Sequence, residues 1–242
     1  MEINIYIGTE KNQLIPQKVL EYSIRTNSKA KLNIYPVFQE FERVGGTNFG
    51  FVRFLVPKMN NFKGKAIYLD ADQLVFADIK ELLDTLDDKH SIALVNDPKG
   101  FFGKKKLEKG NQTSVMVLNC SKLTSWSPKK MFKNVVPNKC ILEKKQIHYR
   151  DFMSLQWINK KNITGIDPRW NHFNIIEPGT KLTHFSHVRS QPWKNPSHPL
   201  TSFWGGWLQH AIKDGAVGRI ELLKEILRGS VHFRFLRNIF VI

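Results

Sequence analysis

A short apolar run that ends abruptly in two acids constrains the fold of this chain more than any other feature. Residues 66–69 are Ala-Ile-Tyr-Leu, and Asp70 and Asp72 follow directly. Such a run predicts a buried strand, and open α/β sheets bind their ligands at the carboxyl ends of strands. Two carboxylates at that edge favour a hard divalent cation, Mg²⁺ or Mn²⁺, and through it a phosphate group.

Other apolar runs alternate with helix-length segments, which predicts an α/β fold with a mostly parallel central sheet. The predicted strands are residues 3–7, 32–37, 65–69, 91–95 and 113–118. The predicted helices are residues 16–26, 150–160, 208–213, one that starts after Asp78 with the capping-box partner Glu81, and an amphipathic one beyond Gly218. Residues 100–110 are predicted to form a loop, either a plain surface loop or one that closes over a ligand.

Bulk composition fits a single domain. The 242 residues are 41% apolar and 12% aromatic, which is enough for one sizeable core. We expect residues 1–200 to form the domain that carries the ligand site and residues 201–242 to form a helical, aromatic, basic and apolar extension. Cys120 and Cys140 are too few for a disulfide framework or a thiolate metal site.

The charge balance requires an explanation, because the sequence has 37 Lys and Arg but only 21 Asp and Glu, which gives a net charge of +16. Nucleic acid, anionic lipid and phosphorylated substrates are all attracted by such a charge. The sequence lacks the interleaved aromatic residues and arginines of a single-strand nucleic-acid groove, which argues against nucleic acid.

Location is suggested by two further features. No apolar segment reaches the roughly 20 residues that cross a bilayer, and the sequence starts on a strand-like segment without a signal-peptide pattern. We therefore expect a cytoplasmic protein, at most peripheral at the inner face of a membrane. Residues 231–242 mix arginines with phenylalanines and aliphatic residues, so this tail either packs on the core or attaches to an anionic membrane.

Three segments in this order, residues 66–72, 112–119 and 184–193, resemble the GT-A-type glycosyltransferases of family 8, which include glycogenin and the bacterial lipopolysaccharide galactosyltransferases. The resemblance extends over residues 3–194. It implies a Rossmann-like GT-A domain that uses Mn²⁺, or Mg²⁺, and a UDP-sugar donor. It also implies transfer of a hexose, with retention, to a hydroxyl of a glycan or lipid-linked acceptor.

For the metal, the resemblance implies Asp70 and Asp72, with Ala71 between them at the donor, and a histidine that precedes Pro-Trp. His184 is favoured, but relatives space this histidine and Trp193 one residue closer, so His187 is the alternative. The family's diphosphate lysine is replaced by Gln191. Arg189 or Lys194 would take over its role, and no donor-site candidate lies beyond Lys194.

For the donor nucleotide, the resemblance implies contacts from the segment after the first strand. Gly8, Thr9, Glu10 and Asn12 would hold the uracil and ribose, although a simple strand-to-helix turn explains them equally well. Arg53 lies among apolar residues, where a guanidinium is costly unless paired, so its partner is either Asp70 or the donor.

For the reaction, the resemblance implies that Asp97 contacts the donor sugar, that Gln112 takes the place of a family Asn, and that Asp151 accepts a sugar hydroxyl. Phe152 occupies the position of a family Gln that lies close to the reacting carbon. This replacement leaves the stereochemical outcome open.

Two other functions remain open from sequence. A metal-dependent nucleotidyltransferase also needs paired carboxylates, but it does not account for the His-Pro-Trp segment. A non-enzymatic basic module would bind nucleic acid or an acidic polymer in a salt-dependent manner without turning over nucleotide sugars.

Overall fold

The computed structural model describes residues 2–39, 48–102, 105–106, 110–126 and 128–240. The strands are β1 (Glu2–Gly8), β2 (Lys31–Val37), β3 (Lys65–Asp70), β4 (Gln73–Val75), β5 (Ile92–Val95), β6 (Phe101–Phe102), β7 (Lys105–Lys106), β8 (Gln112–Asn119), β9 (Val135–Val136), β10 (Ile147–His148), β11 (Ile163–Gly165), β12 (His172–Phe173) and β13 (Leu182–His184). The α-helices are α1 (Leu14–Asn27), α2 (Val56–Met59), α3 (Ile79–Leu83), α4 (Pro128–Phe132), α5 (Tyr149–Met153), α6 (Thr201–Lys213), α7 (Arg219–Leu227) and α8 (Arg237–Phe240).

A six-stranded sheet with the order β11-β5-β8-β3-β1-β2 forms the centre of the molecule. Its strands pair in parallel, except that β8 runs antiparallel to both β3 and β5. The predicted α/β fold with a mostly parallel central sheet is therefore confirmed. The five predicted strands of this sheet all form. The apolar runs of β1, β3, β5 and β8 are buried on both faces of the sheet, whereas the edge strand β2 is only partly buried.

Alternate residues of each central strand enter two separate apolar layers. On β3, Ile67 and Leu69 pack into the layer that contains α1 and α3. Ala66 and Tyr68 point to the opposite layer, which is filled by aromatic side chains such as Phe54. The strand is thus fixed from both sides, and its end is held in one place.

The C-terminal helices pack on the α/β body through α1. Trp204 and Leu208 of α6 and Leu222 of α7 are buried in the same cluster as Ile15 and Val19 of α1. Trp193, from the Pro-Trp segment, is fully buried there too. The tail contributes two buried residues, Val231 and Phe235, to this cluster.

Two helix predictions differ from the structure in extent, and a third differs only in its capping hydrogen bond. The helix predicted over residues 150–160 is wrong, since α5 ends at Met153 and Leu155 has a left-handed φ of 57°. Phe152 and Leu155 are both buried and lie three residues apart, a spacing that also occurs on one face of a helix. The helix after Asp78 begins where predicted, but Asp78 caps the backbone N–H of Lys80. Helix α6 begins at Thr201, ahead of the predicted start at residue 208.

The predicted loop at residues 100–110 is described in part. Strands β6 and β7 pair antiparallel within it, and residues 103–104 and 107–109 lie outside the described residues. None of the helices in the described parts of the chain is both long enough and apolar enough to span a bilayer.

Candidate metal and nucleotide site

Strand pairing brings two acids and a histidine together at the carboxyl end of β3. Asp70 is the last residue of β3, and Asp72 precedes β4, which runs antiparallel to β13 with His184 opposite Gln73. The N–H of Phe185 donates to the carbonyl of Asp72 at 2.8 Å. One ligand atom each of Asp70, Asp72 and His184 lies within 4.8 Å of the others, and all three residues are buried.

Asp70 is held by a buried arginine and a tyrosine. Arg53 Nη2 donates to Asp70 Oδ1 at 2.9 Å and Oδ2 at 3.1 Å, and the Tyr68 hydroxyl donates to Oδ1 at 2.6 Å. The Arg53 guanidinium also lies over the Tyr68 ring, 5.2 Å from its centroid. Each carboxylate oxygen has about two lone pairs, so these bonds leave one acceptor position on Oδ2. Asp70 is therefore fixed in orientation and can still bind a cation.

Electrostatics at Asp70 favour a further positive charge. Burial raises the pKa of Asp70, and the nearby carboxylate of Asp72 raises this pKa further, while Arg53 and His184 lower it. Two carboxylates in one buried site repel each other when both are ionised. A divalent cation between them would relieve that repulsion.

Asp72 and His184 have the free atoms that a metal requires. Gln191 Nε2 donates to Asp72 Oδ2 at 2.9 Å and to the Phe185 carbonyl at 3.0 Å. Among the described residues, none donates a hydrogen bond to Asp72 Oδ1, although His184 Nε2 lies 3.1 Å away from it. The His184 ring contacts the Phe173 ring, with centroids 4.6 Å apart. This buried oxygen and nitrogen donor set fits Mn²⁺ or Mg²⁺.

His187, the other histidine considered from sequence, lies outside this cluster of three ligand residues. Its Nδ1 is 2.7 Å from the hydroxyl of Ser190 in the turn that follows β13. The strand register thus places His184, and not His187, beside the acids.

The end of β1 adjoins the acidic turn. The N–H of Ala71 donates to the Gly8 carbonyl at 3.0 Å, and Gly8 pairs with Asp70 in the sheet. A Cβ at Gly8 would lie 2.1 Å from the Tyr68 hydroxyl. Glycine is therefore required here by Tyr68, a reason different from the approach to a base that the sequence suggested.

A cleft of about 560 Å³ opens beside the turn after β1. Thr9, Glu10, Lys11 and Asn12 line one wall, and Phe38 after β2 lines another. The Lys11 ammonium lies 5.7 Å from the centroid of the Phe38 ring.

The C-terminal extension also reaches this cleft, which the sequence interpretation missed. Glu225, Arg228 and Ser230 line it, although no donor-site candidate was expected beyond Lys194. Glu225 is buried, and its Oε1 accepts from Arg228 Nη1 at 2.6 Å. A charged residue on the inner face of an amphipathic helix was the signal that could have indicated this role.

Lys194 and Arg189, the two candidates for a diphosphate cation, have different surroundings. Lys194 is half-buried, and burial lowers its pKa while Glu10 and Asp72 oppose that shift. Lys194 therefore lies in the field of both the cleft and the metal cluster. Arg189 is exposed, in a 3₁₀ turn formed by Val188–Ser190.

The residues predicted to contact the sugar occupy a more open part of the structure. Asp97, beyond the end of β5, and Asp151, on α5, are exposed, while Gln112 is half-buried at the start of β8. Thr113 connects this part to the metal site, because its hydroxyl accepts from Arg53 Nη1 and donates to the carbonyl of Met153 on α5 at 2.9 Å.

Sequence reasoning missed the contacts of three side chains that shape the metal cluster. Tyr68 lies two residues before Asp70 and so faces the same side of the strand, which was a usable signal. Thr113 and Gln191 contact Arg53 and Asp72 across 60 and 119 residues of sequence, and their spacing gave no signal of contact.

Known proteins are similar to this chain over most of its length. The sequence profile described as Glycosyl transferase family 8 matches residues 6–195. Protein CDI of Arabidopsis thaliana is 27% identical over 209 residues, which cover 78% of each chain.

Two solved structures have the same fold at low sequence identity. The glycosyltransferase GlyE of Streptococcus pneumoniae is 15% identical with a TM-score of 0.63, and the match covers 89% of this chain and 64% of GlyE. This chain thus spans slightly less than two thirds of GlyE. The galactosyltransferase LgtC, solved in complex with donor and acceptor sugar analogs, is 13% identical with a TM-score of 0.60, and the match covers 86% of this chain and 96% of LgtC.

Proposed function

The chain belongs to glycosyl transferase family 8 and has the GT-A fold, and we propose that it transfers a hexose from a UDP-sugar to a hydroxyl of a glycan or lipid-linked acceptor. The observation that carries this proposal is the convergence of Asp70, Asp72 and His184 beside the turn at the end of β1. The adjoining cleft has space for a nucleotide.

The three clustered residues would hold Mn²⁺ or Mg²⁺. A cation bound there would compensate the negative charge that develops on the departing UDP. Arg53 and Tyr68 orient Asp70, and Gln191 orients Asp72. Such outer contacts keep metal-binding carboxylates in position.

Lys194 is our candidate for the cation that neutralises the leaving nucleotide. Its ammonium lies in the field of Asp72 at the metal cluster and of Glu10 at the cleft. Arg189 is the exposed alternative. An ammonium that interacts with acids of both subsites is suited to neutralise a diphosphate that spans them.

The base and ribose of the donor would occupy the cleft after β1. Thr9, Glu10 and Asn12 would bind them, as the family resemblance implies, with Phe38 as an apolar wall. Arg228, fixed by the buried Glu225, adds a donor from the C-terminal extension.

The sugar and the acceptor would lie toward Asp97, Gln112 and Asp151. Phe152, which replaces the family Gln, is buried and packs on Phe54 with ring centroids 4.7 Å apart. It offers the reacting carbon no dipole, so retention would depend on the three polar residues.

A panel of nucleotide sugars, incubated with Mn²⁺ and without acceptor, tests the proposal. We expect slow hydrolysis of a UDP-sugar to UDP and free sugar, abolished by EDTA. Release of UMP and a sugar phosphate would instead indicate a nucleotidyltransferase, because that class cleaves within the diphosphate. Salt-dependent binding of oligonucleotides, without any hydrolysis, would favour the non-enzymatic module.

A further inference from the structure

We propose that the outer face of α7, together with two phenylalanines of the tail, docks on an anionic lipid bilayer. The α7 face consists of Ile220, Leu223 and Leu227, and the two phenylalanines are Phe233 and Phe240; all five side chains are exposed. The proposal refines the acceptor side of the proposed function, but binding to lipid can be measured without any catalysis.

Helix α7 has two apolar sides. Leu222 and Ile226 point inward and are buried in the cluster shared with α1 and α6. Ile220, Leu223 and Leu227 recur at helical spacing on the opposite side, and Ile220 and Leu227 are 72% and 79% exposed. Large aliphatic side chains exposed together on one face indicate a contact with an apolar partner.

The tail adds two exposed apolar side chains on segments next to the helix. Phe233 and Phe240 are 68% and 78% exposed, on segments that pack against α7. Val231 and Phe235 of the same tail are buried. The membrane contact expected from residues 231–242 therefore moves largely onto α7, and residues 241–242 lie outside the described residues.

Three acids of this region are paired with other side chains. Glu221 pairs with Lys18 on α1 at 2.6 Å, and buried Glu225 pairs with Arg228 at 2.6 Å. Asp214 accepts from the hydroxyl of Tyr22 at 2.6 Å.

The exposed charges that remain around the α7 face include the basic residues Arg219, Lys224 and Arg237. A basic rim around exposed apolar side chains is complementary to anionic lipid, whose headgroups meet the rim while the apolar groups enter the interface. A second copy of the chain fits less well, because each copy has a net charge of +16.

Docking through this face has a consequence for the reaction. The inner side of α7 carries Glu225, and Arg228 follows the helix directly; both line the cleft assigned to the donor. A bilayer on the outer side would therefore lie one helix away from the cleft, which suits an acceptor linked to lipid.

Co-sedimentation with vesicles tests the proposal. The full-length chain would be mixed with vesicles of phosphatidylcholine alone or of phosphatidylcholine with phosphatidylglycerol. The test variant is Ile220→Glu combined with Leu227→Glu, which places charge on the apolar face. The matched control is Ile141→Glu, because Ile141 is 93% exposed and lies near Lys139, Lys144 and Lys145, in the segment after β9.

We expect wild type to sediment with the vesicles that contain phosphatidylglycerol and to be released by salt. The double variant should bind at least about tenfold more weakly, and Ile141→Glu should bind as wild type does. Arg219→Gln with Lys224→Gln should also weaken binding, by about fivefold for each charge removed. UDP-sugar hydrolysis should be unchanged in all of these variants, which separates a failure of docking from a failure of the proposed reaction.

Three results would overturn the proposal. The first is wild type that does not sediment with anionic vesicles. The second is a double variant that binds as well as wild type, or a control variant that loses as much. The third is a wild-type dimer in analytical ultracentrifugation that the double variant abolishes, because the α7 face would then be a contact between copies.

Discussion

The metal end and the sugar end of the candidate site are built in different ways. At the metal end, Asp70, Asp72 and His184 are buried, and Arg53 and Gln191 hold the two carboxylates. At the sugar end, the candidate side chains lie at the surface, as in the exposed Asp97 and Asp151. The difference favours a preformed site for the proposed metal and diphosphate, and a proposed sugar and acceptor site that is completed by what binds there.

The largest expected effect is at the metal end. Asp72→Asn removes a charged ligand but keeps the shape of the side chain. We expect the affinity for UDP in the presence of Mn²⁺ to fall further than it does when an outer contact is lost. Loss of an outer contact typically costs about tenfold to a hundredfold. Isothermal titration calorimetry measures this, with Asp88→Asn, an exposed acid, as the matched control. Unchanged UDP affinity in Asp72→Asn would remove this residue from the metal site.

A smaller effect is expected from the arginine behind Asp70. Arg53→Lys keeps the charge but loses the paired bonds to Asp70 and the bond to Thr113. Because lysine cannot reproduce this geometry, we expect kcat/KM for donor hydrolysis to fall about tenfold to a hundredfold. Arg25→Lys, in an exposed pair with Glu21, is the control. Near wild-type hydrolysis by Arg53→Lys would indicate a purely structural ion pair.

Gln191 should contribute less, since it orients only one oxygen of Asp72. Gln191→Ala is expected to weaken Mn²⁺ binding about tenfold, which a competition titration against a metal indicator can measure. The exposed Gln156 provides the control substitution, Gln156→Ala. If both variants bind Mn²⁺ as wild type does, the hydrogen bond to Asp72 has no role in the metal site.

The sugar end should show the smallest effect on nucleotide binding. Asp97→Asn and Asp151→Asn are expected to leave UDP affinity within about twofold of wild type, because neither carboxylate belongs to the metal cluster. Turnover of the UDP-sugar should fall in both variants. A loss of UDP affinity equal to that of Asp72→Asn would contradict the division of the site into two ends.

The sequence predicted the central sheet and the metal acids because both depend on local pattern. The apolar run before Asp70 had to be a buried strand, and the strand end then determined where both carboxylates lie. His184 came from the family resemblance, and the antiparallel register of β4 and β13 places it beside Asp72.

Prediction from the sequence failed for contacts between residues that are distant in the sequence, and where buried residues outside a helix have helical spacing. Gln191 reaches Asp72 across 119 residues, and Arg228 reaches the cleft from the C-terminal extension. At residues 150–160, buried Phe152 and Leu155 have helical spacing, but the left-handed backbone at Leu155 ends the helix. A pattern of apolar residues reports burial and does not by itself report backbone conformation.

The central claim, that Asp70, Asp72 and His184 together hold a divalent cation, is tested most directly by pulsed electron paramagnetic resonance of Mn²⁺ added with UDP. Wild type should show coupling to one imidazole nitrogen, and His184→Gln should lose that coupling while His187→Gln keeps it. A spectrum of hydrated Mn²⁺ alone in wild type, or a nitrogen coupling that persists in His184→Gln, would contradict this account of the site.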